Sequence, residues 1–469
     1  MQRSATWIAE ATRGVVHGPD VSANGPVVTD SREAAPGGVY VARRGENADG
    51  HDYVASAARA GAVCALVERV VDLSDCPPIT QVVVGDATGA LGDLARAHLE
   101  ALRAGGAIDV VAVTGSVGKT TTKDLLLQVL SADAPTVAPR LSFNNEVGLP
   151  LTVLTADEST RHLVLEMGAS GPGHIAYLTR IAPPDVAIEL VVGHAHMGGF
   201  GSVAGVAEAK AELIEGSRQG ATAVLNADDP NVAAMAPRAK GPVVRFSPSG
   251  AGAADVVAED VRVDAAGRAS FTLAAPEGRE PVSLAFVGAH HVANALAAAA
   301  GARAVGLGLA LIARALSGAR ALSPHRMDVR GLRIGAVPLT LIDDSYNANI
   351  DSMRAAVAAL EAIGKGRRTI AVLSEMLELG EDSPATHRAV GAMLSGAGVD
   401  ALIGLGRDAH YYSEGAASVP DRVLVEDPGA ALAAVLDRLT DDCVVLVKGS
   451  YNSYSWQVAD GLLEEATTR

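Results

Sequence analysis

Lys119 and Thr120 follow two glycines, Gly115 and Gly118, inside the run VVAVTGSVGKTTTK at 110–123. Glycines so placed permit a loop whose backbone N–H groups converge, and a helix starting there adds the positive end of its dipole, so the loop suits phosphate. Lys119 can then reach the outer phosphates of a nucleotide, and Thr120 can place a hydroxyl on Mg²⁺. The expected cradle is Gly115, Ser116, Val117, Gly118, Lys119, Thr120 and Thr121. The longer P-loop pattern has a further glycine where this chain has Val113, so the match is to the shorter form T-G-S-x-G-K-T. The other reading is a tight turn without ligand. The motif, however, asks for an apolar strand before it and an apolar helix after it, and 110–113 and 125–130 supply both.

Other side chains can also do chemistry. Residues 162–168 read as a buried strand ending in Glu166, a carboxylate able to hold Mg²⁺ at the carboxyl edge of a sheet. His194 and His196 have an i, i+2 spacing that fits a metal pair or two loop histidines equally. In the helical pattern after them, Val203, Val206, Ala207, Leu213 and Ile214 share a face with Lys210 at its middle, while Glu208, Glu212 and Glu215 lie opposite. Spacing alone favours a lysine that snorkels to an edge; the other reading is an amine neutralised by chemistry such as carbamylation by CO₂. Ser31 and Arg32 can grip a diphosphate or nucleoside, or simply form a turn. Asn294 offers a donor and an acceptor to an adenine edge. The strand end at 341–350 carries Asp343, Asp344, Tyr346, Asn347 and Asn349, which suit ribose hydroxyls and a polar substrate.

The chain has 469 residues, 49% of them hydrophobic, enough for about three domains with sizeable cores. A formal net charge of −16 opposes a nucleic-acid surface, because phosphate backbones are held by clustered Lys and Arg. Any anionic ligand must be met by local devices. Cys64, Cys76 and Cys443 are odd in number and far apart, which suits a reducing compartment and offers no metal spacing. The first residues lack the apolar core of a signal peptide, and the Ala-rich stretch 295–316 carries Arg303 and Arg314. A soluble cytoplasmic monomer without an integral membrane segment is expected.

Alternating strands and helices must position these groups, which makes the class α/β with parallel sheets. Residues 1–104 read as a small α/β N-terminal domain with no nucleotide loop. Residues 105–322 read as a central P-loop ATPase-type parallel sheet with strand and helix alternating throughout. Residues 323–469 read as a Rossmann-like C-terminal domain with strands at 341–342, 369–373, 401–405, 423–425 and 443–447.

Six pieces together resemble the Mur ligase family, in all three domains. They are TDSR at 29–32 with DGH at 49–51, TGSVGKT at 114–120, SFNNEVG at 142–148, NADDP at 226–230, DDSYNAN at 343–349 and EMLELG at 375–380. The NNE and DSYNAN pieces resemble the D-alanyl-D-alanine-adding branch. The resemblance implies an ATP-dependent amide (peptide) ligase of the acid–D-amino-acid type. It would add D-alanyl-D-alanine to UDP-N-acetylmuramoyl-tripeptide through an acyl phosphate, in cytoplasmic peptidoglycan precursor synthesis. It also implies that 1–104 bind the UDP-sugar-peptide and 323–469 the incoming amine.

By the same resemblance, residues 115–121 hold the ATP phosphates, Thr120 and Glu166 hold one Mg²⁺, and His196 and a carbamylated Lys210 help place a second. Asn294 meets adenine, and Arg326 and Asp344 hold the nucleotide across the domain gap. Ser31 and Arg32 contact the UDP end of the substrate and Asn144 and Asn145 its central part, with Tyr346 and Asn347 also on the substrate. Lys119, His196, Lys210 and Arg326 form the catalytic set. Val117, Val191, Ser374 and Tyr451 stand where the family's pattern has Asn, Asn, Gly and Arg. The last two lie in the amine-binding part, so the alternative is a related ligase of another pathway with a different amine.

Overall fold

A computed structural model describes residues 1–45, 48–193, 200–250, 253–264, 267–440 and 442–468. A nine-stranded sheet occupies the middle of the molecule. Its order is Gly278–Val287, Arg268–Ala275, Val256–Val263, Val243–Ser247, Thr222–Asn226, Val186–Glu189, Asp109–Thr114, His162–Glu166 and Thr136–Val137. From Val256–Val263 to Thr136–Val137 every neighbouring pair is parallel. Both faces are covered, so Val110 and Ala112 enter one core while Val111 and Val113 enter the other. That explains why the strand before the glycine loop is apolar throughout instead of alternating.

The chain crosses Asp109–Thr114 in passing from His162–Glu166 to Val186–Glu189. A crevice therefore opens at the carboxyl ends of these strands, where α/β sheets take ligands.

Strand–helix alternation does not persist through 105–322. Residues 256–287 form three successive strands, Val256–Val263, Arg268–Ala275 and Gly278–Val287, paired antiparallel with no helix between them. Burial along Arg268–Ala275 and Gly278–Val287 mostly alternates, as expected of strands with one solvated face. The stretch 185–192 is strand only over Val186–Glu189.

Residues 1–104 carry a five-stranded sheet in the order Val15–His17, Thr80–Val83, Cys64–Val67, Val39–Val41 and Val27–Val28, parallel except for the first pair. The helix Ala87–Gly105 joins it to the middle sheet. Asp86 caps this helix by accepting from Thr88 N and Gly89 N, and its buried Leu91, Leu94 and Leu99 share one core with Leu66 and with Val110 and Leu163.

A six-stranded sheet follows in the order Asp328–Ile334, Val337–Asp344, Cys443–Lys448, Arg368–Ser374, Ala401–Leu405 and Asp421–Val425; only the first pair is antiparallel. The junction before it is fastened to the helix Lys119–Ser131. Gln128 and Arg320 exchange two hydrogen bonds of 2.9 Å, and Ser323 N donates to Asp124 at 3.1 Å. Among the described residues no helix is long and apolar enough to cross a membrane.

Candidate active site

Gly115 and Gly118 turn the chain out of Asp109–Thr114 at φ values of +155° and +86°. A Cβ on Gly118 would stand 2.5 Å from Asn294 Oδ1, so both backbone conformation and space require glycine there. The helix then begins at Lys119, and its unpaired N–H groups face the loop mouth. Lys119 Nζ donates to Gly115 O at 2.8 Å, which lays the ammonium across the cradle. Burial lowers its pKa, Glu166 opposes that shift, and Arg326 adds to it. A cavity of 470 Å³ opens above. Its walls include Ser116 and Thr120 from the loop, Arg326 from the junction, and Asp344, Tyr346 and Lys448 from the six-stranded unit.

At its floor a row of polar side chains runs between these parts. Asn144 Nδ2 donates to Glu166 Oε1 at 2.7 Å, and Thr120 donates to Glu166 Oε2 at 2.8 Å. Ser142 Oγ lies 2.9 Å from Thr120 Oγ1 and accepts from Arg326, whose guanidinium stands 4.2 Å over the Tyr346 ring. One carboxylate beside a hydroxyl, both hard oxygen donors, fits Mg²⁺ whose remaining ligands are phosphate oxygens and water. Among the described residues no group of three or more His, Cys, Asp or Glu is placed to hold a metal ion.

Lys210 lies buried in the helix Val203–Glu215, packed towards Val186–Glu189. Near it stands Glu189, fully buried, with no hydrogen-bond partner for either carboxylate oxygen among the described residues. Its neighbour in register, Thr114, is equally buried and its hydroxyl equally unpartnered. Burial pushes Lys210 down to about 7, with Lys119 repelling its charge and Glu189 opposing the shift. Burial raises Glu189 well above the usual carboxylate range, Lys210 opposes that, and Asp229 adds to it. An amine held near neutrality is able to react with CO₂, and orphaned buried oxygens leave hydrogen-bonding capacity for an added group. Lys210 thus fits carbamylation. His194 and His196 lie outside the described residues.

Asn294 lines the cavity beside Leu190, Val191 and Phe246, with Nδ2 3.3 Å from His291 Nδ1 and Oδ1 accepting from Thr122 at 3.5 Å. Asp344 accepts from Met327 N at 3.1 Å and from Lys448 Nζ at 2.5 Å, and Lys448 also donates to Asn347 O at 2.8 Å. Asn347 and Tyr346 line the cavity. Asn145 faces away from it, its side-chain oxygen accepting from Val147 N and Gly148 N at the start of the helix Gly148–Val153. Ser31 and Arg32 form a short turn elsewhere on the first sheet, with Arg32 paired to Asp30. Sequence reading missed Glu189, Ser142 and Lys448 as site residues. Glu189 had one signal, a lone carboxylate inside an apolar strand.

Family models match along most of the chain: the Mur ligase family catalytic domain over residues 26–98, the Mur ligase middle domain over 113–302, and the Mur ligase glutamate ligase domain over 325–451. The chain is 42% identical to the UDP-N-acetylmuramoyl-tripeptide–D-alanyl-D-alanine ligase of Mycobacterium bovis, covering 94% of this chain and 93% of that one. Identity to the enzyme of the same name from Escherichia coli is 35%, covering 98% of both chains. Among solved structures, MurF from Acinetobacter baumannii superposes with a TM-score of 0.86 at 31% identity over 99% of both chains. MurF ligase from Thermotoga maritima in complex with ADP gives 0.78 at 30% identity, covering 95% of this chain and 98% of that one. With relatives of this identity matched from end to end, and a phosphate cradle at the switch point of its central sheet, the chain belongs to the Mur ligase family.

Proposed function

We propose that this chain is the ATP-dependent ligase that joins D-alanyl-D-alanine to UDP-N-acetylmuramoyl-tripeptide in cytoplasmic peptidoglycan precursor synthesis. The observation that carries the reading is Arg326. It comes from the junction to the six-stranded unit, yet its guanidinium donates to Ser142 beside Thr120 and Glu166. Groups from two units therefore meet at the phosphate cradle, as a reaction uniting three substrates requires.

A peptide carboxylate is a poor electrophile, so its oxygen first attacks the γ-phosphorus of ATP and ADP leaves. Lys119 and the N–H groups of 115–121 offset the charge that develops on the phosphoryl oxygens. Mg²⁺, when bound at Thr120 and Glu166, neutralises further phosphate charge. Asn294 faces the base, and Arg326 and Asp344 hold the nucleotide. Lys448 fixes Asp344 from behind through its 2.5 Å bond. The resulting acyl phosphate is attacked at its carbonyl carbon by the amine of the dipeptide, and phosphate leaves as the amide forms. A carbamylated Lys210, with His196, would hold a second Mg²⁺. Residues 1–104 would take the UDP end through Ser31 and Arg32, Asn144 and Asn145 the middle of the substrate, and 323–469 the dipeptide, in a monomeric enzyme.

Purified protein given ATP, Mg²⁺ and the UDP-muramoyl-tripeptide should release phosphate only when D-alanyl-D-alanine is added. Release that is independent of the dipeptide, with no amide product, would overturn the assignment.

A further inference from the structure

Two charged side chains are buried side by side in the helix Lys119–Ser131, one turn past the phosphate cradle. Lys123 is 1% exposed and Asp124 4%, and Lys123 Nζ donates to Asp124 Oδ1. Their helix neighbours Leu125, Leu126, Val129 and Leu130 all enter the apolar core. Burying an ion pair costs both ions their hydration, and apolar residues of similar volume usually serve a core as well or better. What sets this pair apart is where its remaining bonds go.

Lys123 Nζ also donates to Pro139 O at 2.9 Å. Three residues further on stands Ser142, which lies 2.9 Å from Thr120 Oγ1 and accepts from Arg326. Asn144, the donor to Glu166, follows on the same segment. On the other side, Asp124 Oδ2 accepts at 3.1 Å from the N–H of Ser323, three residues before Arg326. One turn further along the helix, Gln128 donates to Asp124 O at 3.1 Å and exchanges its two bonds with Arg320. The segments 139–142 and 323–326 thus start from one ion pair and meet again where Arg326 donates to Ser142. A ring closed in this way leaves the guanidinium little freedom of place.

We propose that Lys123 and Asp124 are positioning residues for the phosphoryl-transfer step: the buried pair sets where Ser142 and Arg326 stand against the phosphate cradle. The inference rests on the ligase reading above. Neither side chain lines the nucleotide cavity, so each acts through the segment it holds. Phosphoryl transfer depends on the placement of charge, and a shift of about 1 Å can cost about a hundredfold in rate.

The test replaces both charges at once, because removing one alone would leave the other buried and unpaired. Lys123→Met with Asp124→Leu should lower kcat/KM for ATP by about tenfold in the complete reaction, with KM for the dipeptide unchanged. In a background of Ser142→Ala with Arg326→Ala the same two substitutions should cost less than about twofold, since the groups they position are gone. Mg-ADP affinity, titrated by calorimetry across the same four proteins, should follow the same pattern and reports even where turnover is too slow to measure. Asp124→Asn keeps an acceptor for Ser323 N, and it should show the same dependence on background with a loss of about threefold. Equal losses in both backgrounds, as a merely destabilised core would give, overturn the inference and leave the ligase reading standing. So does full activity in the doubly substituted protein. Wild-type phosphate release that needs no dipeptide overturns the ligase reading, and the cycle in Mg-ADP affinity then still judges the pair.

Discussion

Glu189 and Lys210 are held where burial penalises the charge of each, and each offsets the other's penalty. Among the described residues neither Glu189 oxygen has a hydrogen-bond partner, so the two groups act on each other through space and not as a bonded ion pair. Glu189→Leu and Lys210→Met should therefore shift the urea midpoint non-additively, with ligase activity lost in every variant that carries Lys210→Met. Additive losses would mean that the two side chains do not interact. Lys210→Ala should lose activity that bicarbonate does not restore but that a short-chain carboxylate restores in part; full activity would return Lys210 to packing. The cradle was legible because its glycines, lysine and threonine act through sequence neighbours. Glu189 was not, since its partners come from Val203–Glu215 and from the adjacent strand, and no local pattern writes a contact between a strand and a distant helix. Lys448, whose partners lie 101 and 104 residues away, was hidden for the same reason.

Among the elements, the junction before the six-stranded sheet bears most directly on the site. His325 and Met327 adopt left-handed φ values of 60° and 51°, and Arg326 stands between them. Such backbone costs about 1–3 kcal/mol per residue and persists only where its surroundings hold it. Here Tyr346 N donates to His325 O at 3.0 Å, Asp344 accepts from Met327 N, and His325 Nδ1 lies 2.8 Å from Asp343 Oδ2. The Asp343 hydrogen bond raises the His325 pKa above 6.5 against the opposing effect of burial. The folded chain then keeps the proton to higher pH than the unfolded chain does. Its stabilising contribution is complete below pH 6.5 and fades as pH rises through the raised value. Urea titrations of Asp343→Asn should show a flatter dependence of stability on pH above 6.5 than the wild type; matching curves would show that the pair contributes nothing. The proline and charges around 323–328 marked a boundary in the sequence. Left-handed backbone at His325 and Met327 was not marked, because neither is a glycine. The antiparallel strands of 256–287 escaped for a related reason: the rhythm of preceding strands and helices suggested further alternation, while the pattern along these three was that of strands with a solvated face.

At the scale of the whole molecule, a ligand filling the 470 Å³ cavity touches residues of both the nine-stranded and the six-stranded units. Any ligand bound only by the folded state adds stability, about 2.7 kcal/mol at a hundred times its Kd. How that stability is distributed depends on which side chains couple the units, and Arg326 is the strongest candidate, since it reaches both Ser142 and Tyr346. Hydrogen exchange with and without Mg-ADP should therefore show added protection in the wild type both around Asp109–Thr114 and around Val337–Asp344. In Lys119→Ala both should vanish, because the cradle no longer holds the phosphates. In Arg326→Ala protection should persist near Asp109–Thr114 and fall away near Val337–Asp344. Protection retained at both places would shift the coupling to Asp344 and its support from Lys448. Closure of the units over the nucleotide would then depend on that buried pair, with the guanidinium left only to neutralise phosphate.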